Sequence, residues 1–305
     1  MRIRSIAFVT PPNAARWQRW LIFSPLARLV IFTATFILLS KLIAVPAHIG
    51  IDHSFAGAAM AKAWIYLLTF VLPALLAYLF LIRVIERRPA TELAWRELLP
   101  YGAAGLLGGA TLFSAVVGAL WALGSYHVTG INPQAHWLPA LLLAGLGAGI
   151  GEEILFRGVL FRIMEEGLGT WVALLFSALF FGAVHLGNPG ATLWSSAAIA
   201  IEAGLLFGLL YHLTRSLYLC MGVHAAWNFT QGTVYGIPVS GLPVDGWLLS
   251  SRSGPDWLSG GVFGAEASAV ALLVCSMLTL ALLRIVLRGG TLVPPRWRRR
   301  RLAVD

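Results

Sequence analysis

The sequence predicts an all-α, polytopic membrane protein with about eight transmembrane helices. Of its 305 residues, 58% are hydrophobic and only 11% are charged, whereas ordinary soluble domains are about 25% charged. The mean hydropathy is +0.80. Apolar runs long enough to cross a bilayer, about 20 residues each, recur along the chain. A soluble protein with an unusually apolar core is excluded, because it cannot accommodate so many runs of this length.

Eight apolar runs are interpreted as spans, with limits uncertain by several residues. The first follows an N-terminal segment that lacks the apolar core of a signal peptide, so it is expected to be an uncleaved anchor. The fifth is the shortest. In chain order they cover roughly residues 26–46, 64–85, 102–123, 138–160, 170–187, 192–212, 216–235 and 262–287.

The basic residues predict the orientation of these spans. All 22 Lys and Arg residues except Lys41, Lys62 and Arg252 fall on one side, which takes Arg2 and Arg4 at the N-terminus. Basic residues concentrate in cytoplasmic loops, so both termini are predicted to be cytoplasmic. The same assignment puts the basic residues of segment 157–162 in the fourth connection. The net charge of +9 is therefore interpreted as a topology signal, and no nucleic-acid partner is expected.

Two features of composition bear on source and compartment. Arg far outnumbers Lys, which favours a GC-rich coding genome and hence a bacterial inner membrane. The basic fragment PPRWRRRR is interpreted as a topology anchor in preference to a binding site for anionic lipid head groups.

The two cysteines, Cys220 and Cys275, lie in predicted spans and have neither disulfide nor metal-ligand spacing.

Three polar signatures lie inside runs that are otherwise apolar. A charged side chain at a helix centre costs roughly 2.5–3.5 kcal/mol, so three charges in one turn cost about 8–10 kcal/mol if they are unpaired. These residues are therefore predicted to be paired, solvated or functional. The signatures are Glu152-Glu153-Ile-Leu-Phe-Arg157, Phe181-Gly-Ala-Val-His185 and His224-Ala-Ala-Trp-Asn228.

Helical spacing predicts which of these side chains share a face. Glu153 and Arg157 are four residues apart, so they are neighbours and can pair. Glu152 points about 100° away and is then the free carboxylate. The same spacing puts His224 and Asn228 on one face of their helix. It also puts Phe181 and His185 on one face of theirs. Spans four, five and seven thus each present one polar stripe.

The three stripes together contain the groups needed to hydrolyse an amide. A buried carboxylate can take a proton from water near neutral pH. A histidine can hold that water, while a second histidine and an asparagine can donate hydrogen bonds to the developing oxyanion. If tertiary structure brings the stripes together, these groups suffice without a covalent enzyme intermediate.

The three signatures, in this order and spacing, resemble the motifs of the CPBP family. This family comprises the type II CAAX prenyl endopeptidases and their bacterial relatives, the bacteriocin-processing and immunity-associated proteins. The segment Phe156-Arg157-Gly158 fits the same pattern, and the resemblance covers roughly residues 137–232. It implies an intramembrane protease fold of eight helices. It also implies three regions: an N-terminal transmembrane region (1–136), the catalytic core (137–232), and an outer loop, last span and basic tail (233–305).

The resemblance also implies a role for each motif residue. Glu152 corresponds to the general base that activates water, and His185 to the residue that shares this water. His224 and Asn228 correspond to the oxyanion donors, with Glu153 and Arg157 as supporting residues. The implied partners are the lipid bilayer and a membrane-embedded or lipidated peptide. In eukaryotic relatives the substrate is a prenylated C-terminal tail, which a bacterial cell need not contain.

Depth in the membrane raises a question about two of these residues. Glu152 lies near the cytoplasmic end of span four if that span ends near 158, whereas His185 lies near the outer end of span five if that span begins at 170. At a rise of 1.5 Å per residue the two depths disagree by several ångströms. A span four that continues past Arg162, or a later start of span five, would remove the disagreement.

The same residues are also compatible with other functions. Glu152, His185 and His224 match a catalytic zinc site in ligand type, but the His-Glu-x-x-His helix of common zinc peptidases is absent. A metal-free enzyme without a cofactor is therefore preferred. A non-enzymatic adaptor or immunity protein is the alternative from another class. Glu202 in span six either lines the cavity or is protonated and hydrogen-bonded.

Overall fold

The computed structural model of the protein describes residues 7–50 and 57–301. Arg2 and Arg4, which the orientation argument uses, lie outside these residues. The predicted all-α membrane fold is confirmed. The helices are α1 (Arg16–Leu21), α2 (Pro25–Gly50), α3 (Ala58–Ile85), α4 (Trp95–Ala122), α5 (Trp137–Leu168), α6 (Thr170–Gly187), α7 (Leu193–Thr214), α8 (217–234), α9 (Asp256–Ser259), α10 (Ala269–Gly289) and α11 (Arg296–Arg301).

Seven helices in the described part of the chain are long and apolar enough to cross a membrane, where about eight were predicted. The difference is α8, which is helical as expected but is not among the seven. Its residues from Cys220 to Asn228 are all buried, so this helix packs inside the bundle and its polar side chains contact protein. The cytoplasmic orientation of the termini stays a prediction.

Helix α5 is longer than predicted and continues to Leu168. The expectation that Arg157 and Arg162 lie in a connection is therefore wrong: both are inside the helix, 0% and 1% exposed. Gly169 has φ +86°, a conformation that only glycine adopts readily, and α6 begins at the next residue. Of the two ways to reconcile the depths of the site residues, the longer span four is the one found.

Several of these helices contain π-helical turns. In α5 they cover Leu141–Gly147 and Ile154–Phe161, and in α7 they cover Ala200–Leu205. A π-helical turn is wider than an α-helical turn and occurs frequently at functional sites. It also rotates the following residues away from the faces that a strict 3.6-residue period predicts.

Glycines allow α8 to approach two neighbouring helices closely. A Cβ atom on Gly109 of α4 would lie 2.2 Å from the carbonyl oxygen of Val223 on α8. A Cβ atom on Gly149 of α5 would lie 3.0 Å from the backbone nitrogen of Ala225. Small residues at such interfaces let helix backbones pack tightly in membranes. The centre of α8 is thereby held against both α4 and α5.

A network of buried ion pairs joins α2, α3 and α5. Arg28 lies 2.7 Å from both Glu86 and Glu166, and Arg162 lies 3.0 Å from Glu86. Arg88 adds a further contact of 2.7 Å with Glu86. These arginines were predicted only as topology signals, but paired charges in a buried position also fix the relative position of three helices.

Two connections outside the bundle pair through a small sheet. Strand β1 (Tyr126–Ile131) runs antiparallel to β2 (Leu248–Arg252), with Tyr126 opposite Arg252. The outer loop expected at the start of region 233–305 contains β2. The pairing ties the connection between α4 and α5 to the one between α8 and α10.

Candidate active site

Arg157 forms the centre of a buried cluster that joins three helices. Its Nη1 lies 3.0 Å from Oε1 of Glu153, and both side chains are 0% exposed, so the predicted ion pair is confirmed. Its Nη2 donates a 2.7 Å hydrogen bond to the carbonyl of Ala203 on α7. The guanidinium also lies over the rings of Phe181 and Phe207, 4.6 and 5.1 Å from their centroids. Cation–π contacts of this kind add to the ion pair when water is excluded.

The Glu153 carboxylate also contacts His224. Its Oε1 lies 2.9 Å from Nδ1 of the imidazole. An ionised carboxylate can only accept hydrogen bonds, so Nδ1 carries the proton and donates it in this contact. The contact fixes the orientation of the ring and leaves Nε2 for other partners. Glu153 thus links the signature on α5 to the signature on α8.

His185, His224 and Asn228 line one cavity. His185 donates from Nδ1 to the carbonyl of Phe181 at 2.6 Å, so its Nε2 also remains available. Asn228 donates one of its two amide hydrogens to the carbonyl of Ala144 at 2.8 Å. The stripes of α6 and α8 therefore meet at this cavity, and the Glu153–His224 contact brings α5 to it.

Glu152 is not among the residues that line the cavity. Its carboxylate lies close enough to His224 and to Tyr66 on α3 to interact electrostatically with both. Within the described part of the chain, its Oε2 is buried without a hydrogen-bond partner. This oxygen is thus unpaired, as the helical spacing predicts, and the carboxylate lies beside His224.

Two other carboxylates line the cavity. Glu202 on α7 is one of them, which agrees with the first of the two interpretations offered for it. The second carboxylate belongs to Glu266, in the single turn Ala265–Ala267, and it was not among the predicted site residues. The signal was a lone charged residue at the start of the last apolar run. Burial raises the pKa of Glu266, and hydrogen bonds from Ser240 together with the charge of His185 oppose this effect.

The three candidate zinc ligands do not lie together in the structure. In residues 7–50 and 57–301, no three His, Cys, Asp or Glu side chains are grouped to hold a metal ion. Of the three candidates, His185 and His224 line the cavity whereas Glu152 does not. The Nδ1 atoms of both histidines are already hydrogen-bonded. No mechanistic step through a metal is derived from this donor set.

Comparison with known proteins supports the resemblance seen in the sequence. Residues 132–230 match the family model described as type II CAAX prenyl endopeptidase Rce1-like. No curated protein matches this chain. The matched segment is about a third of the chain, and it begins just before α5 and ends within α8. It includes all three signatures, and over this segment the chain is similar to the Rce1-like family of type II CAAX prenyl endopeptidases.

Proposed function

We propose that the protein is an intramembrane endopeptidase that hydrolyses a peptide bond in a membrane-tethered or lipidated peptide. The observation that carries the proposal is the Glu153–His224 contact of 2.9 Å, because it holds His224 in the cavity that His185 and Asn228 also line. The family match supports the same class of reaction. The cavity lies among helices of membrane-spanning length, which favours a substrate that is itself anchored in the bilayer.

In the proposed mechanism, Glu152 takes a proton from a water molecule while the water oxygen attacks the carbonyl carbon of the scissile bond. The carbonyl becomes an oxyanion, which accepts hydrogen bonds from Nδ2 of Asn228 and, when its imidazole is protonated, from Nε2 of His224. The bond between carbon and nitrogen then breaks, and the proton on Glu152 passes to the leaving amine.

The remaining site residues support this reaction. Nε2 of His185 is available to hold the water, since its Nδ1 already donates to the backbone. Arg157 neutralises the charge of Glu153. The Glu153 carboxylate therefore stays ionised and accepts the hydrogen bond from His224. A site of this kind gains from excluding bulk water, because hydrogen bonds to a developing charge are stronger in a medium of low dielectric constant.

Cleavage by the whole protein can be tested in membranes. We expect peptides released from membranes that contain the wild-type protein to include products absent from membranes that contain Glu152→Ala at equal abundance. Comparative peptidomics measures this difference and also identifies the cleavage site. Identical peptide sets would contradict the proposal and favour the non-enzymatic adaptor.

We expect His224→Ala and Asn228→Ala each to lower kcat by about 10²–10³-fold with little change in KM, the usual effect of losing one oxyanion donor. The measurement is turnover of a defined peptide by protein reconstituted in liposomes. His127→Ala is the matched control, because His127 lies exposed on β1. A rise in KM at unchanged kcat would instead assign the two residues to substrate binding.

We expect activity without bound zinc. Asn228 is a poor zinc ligand but a good oxyanion donor, and His224 is already held by Glu153. Elemental analysis of purified active protein, combined with treatment with a chelator, provides the measurement. One equivalent of zinc per chain, with activity lost on chelation and restored by zinc, would rule out the metal-free mechanism.

A further inference from the structure

The cavity contains two carboxylates that the proposed mechanism does not use. Glu202 is 4% exposed and Glu266 is 5% exposed, and both line the cavity with His185 and His224. Among the described residues, Oε1 of each is buried without a hydrogen-bond partner. Buried carboxylates are normally paired or fully hydrogen-bonded, so these unpaired oxygen atoms require an explanation.

No counter-charge within the described ranges forms an ion pair with either carboxylate. Glu202 and Glu266 act electrostatically on each other. Arg252 acts electrostatically on Glu266, but its Nη1 donates to the carbonyl of Ser259. Arg157 is paired with Glu153. Ionising two neighbouring carboxylates in a buried cavity is costly, and a cation that enters between them would remove much of this cost.

The rest of the cavity wall suits the apolar stem of a cationic side chain. Phe181, Phe207 and Trp227 contribute aromatic rings, and an aromatic lining with a few polar groups is typical of sites that hold a small organic group. Aromatic faces attract ammonium and guanidinium groups as well as methylene chains. A Lys or Arg side chain combines a long apolar stem with a positively charged, hydrogen-bond-donating end.

We propose that Glu202 and Glu266 bind the ammonium or guanidinium group of a Lys or Arg side chain on the substrate, close to the scissile bond. The identification of this ligand as a substrate rests on the proposed endopeptidase function. The binding of an organic cation between the two carboxylates does not rest on it. The two statements are therefore tested separately.

The binding test uses the full chain in nanodiscs with two probes of equal shape, 4-phenylbutylamine and 4-phenylbutanol. We expect the amine to raise the melting temperature of the wild-type protein and the alcohol to have little effect. Glu202→Gln and Glu266→Gln each keep the side-chain volume and should weaken amine binding by about 10- to 100-fold. Glu97→Gln, at the start of α4 and outside the cavity, is the control and should bind the amine like the wild type.

Equal effects of the amine and the alcohol, no effect of either, or unchanged amine binding in both Gln variants would overturn the proposal. The melting temperature of each variant without probe shows whether it is folded. Two variants are used so that a failure of one to fold does not decide the result.

The cleavage test compares two peptides that differ only in Lys or norleucine next to the bond that is cut. We expect kcat/KM to be about 10- to 100-fold higher for the Lys peptide. Glu202→Gln should abolish this preference, because kcat/KM should fall much more for the Lys peptide than for the norleucine peptide. Equal loss for both peptides would assign the residue to the chemistry and overturn the specificity role. If the amine binds but the wild-type protein cuts neither peptide, the endopeptidase function fails and the cation site remains.

Discussion

Glu152→Gln is expected to abolish hydrolysis while the protein still inserts and folds. A general base contributes about 10²–10⁴-fold to a rate, and the amide keeps the shape of the side chain but cannot take a proton from water. Oε2 of Glu152 is buried without a hydrogen-bond partner among the described residues, so the substitution breaks no known contact at that atom. Turnover of a defined peptide in liposomes and the melting temperature are the two measurements.

Glu97→Gln and Glu202→Gln are the comparison variants for this experiment. Glu97 lies in the first turn of α4, outside the cavity wall, and its variant should keep full activity. Glu202 lines the cavity, and its variant should still cut a peptide without a basic residue. Full activity in Glu152→Gln would remove Glu152 from the mechanism. Loss of activity on all peptides in Glu202→Gln would indicate that Glu202, in the cavity wall, is the general base.

Much of the candidate site could be predicted from the sequence because its groups follow local spacing. Four residues separate Glu153 from Arg157, and the predicted pair forms at 3.0 Å although the helix is π-helical from the next residue onward. The meeting of His185 and Asn228 at one cavity was predicted only conditionally. It depends on how α6 and α8 pack, which local spacing does not determine.

The contacts that escaped prediction join residues far apart in the chain. The Glu153–His224 contact spans 71 positions, and the Arg162–Glu86 contact spans 76. Hydropathy and the positive-inside rule treat each charge by its position in the chain, so they assigned Arg162 to a connection. The cost of burying it is met by partners on other helices, which only the folded structure reveals.

Hydropathy was similarly unable to place the helix α8 in the interior of the bundle. A run of apolar residues is expected both in a helix that faces lipid and in one that is surrounded by protein. The glycines that hold α8 against its neighbours, such as Gly109 and Gly149, act through backbone contacts that no periodicity reports. The burial of α8 among its neighbours is therefore a part of the fold that composition alone could not predict.

Arg157→Ala is expected to destabilise the protein by about 3–5 kcal/mol, the usual cost of leaving one buried charge without its partner. The substitution removes the cation that neutralises the fully buried Glu153, and it removes the hydrogen bond to the carbonyl of Ala203. It also removes the guanidinium that lies over Phe181 and Phe207. Thermal unfolding in detergent measures the effect.

Two variants separate the loss of stability from a loss of chemistry. Arg83→Ala, which removes an exposed arginine near the end of α3, should change stability by no more than about 0.5 kcal/mol. Arg157→Lys keeps the charge but loses the planar fork that reaches Glu153 and Ala203 together, so it should recover only part of the stability. Arg157 acts on His224 only through Glu153. The loss of folded protein should therefore exceed the loss of activity per folded molecule. An unchanged melting temperature with lost activity would instead place Arg157 in the reaction itself.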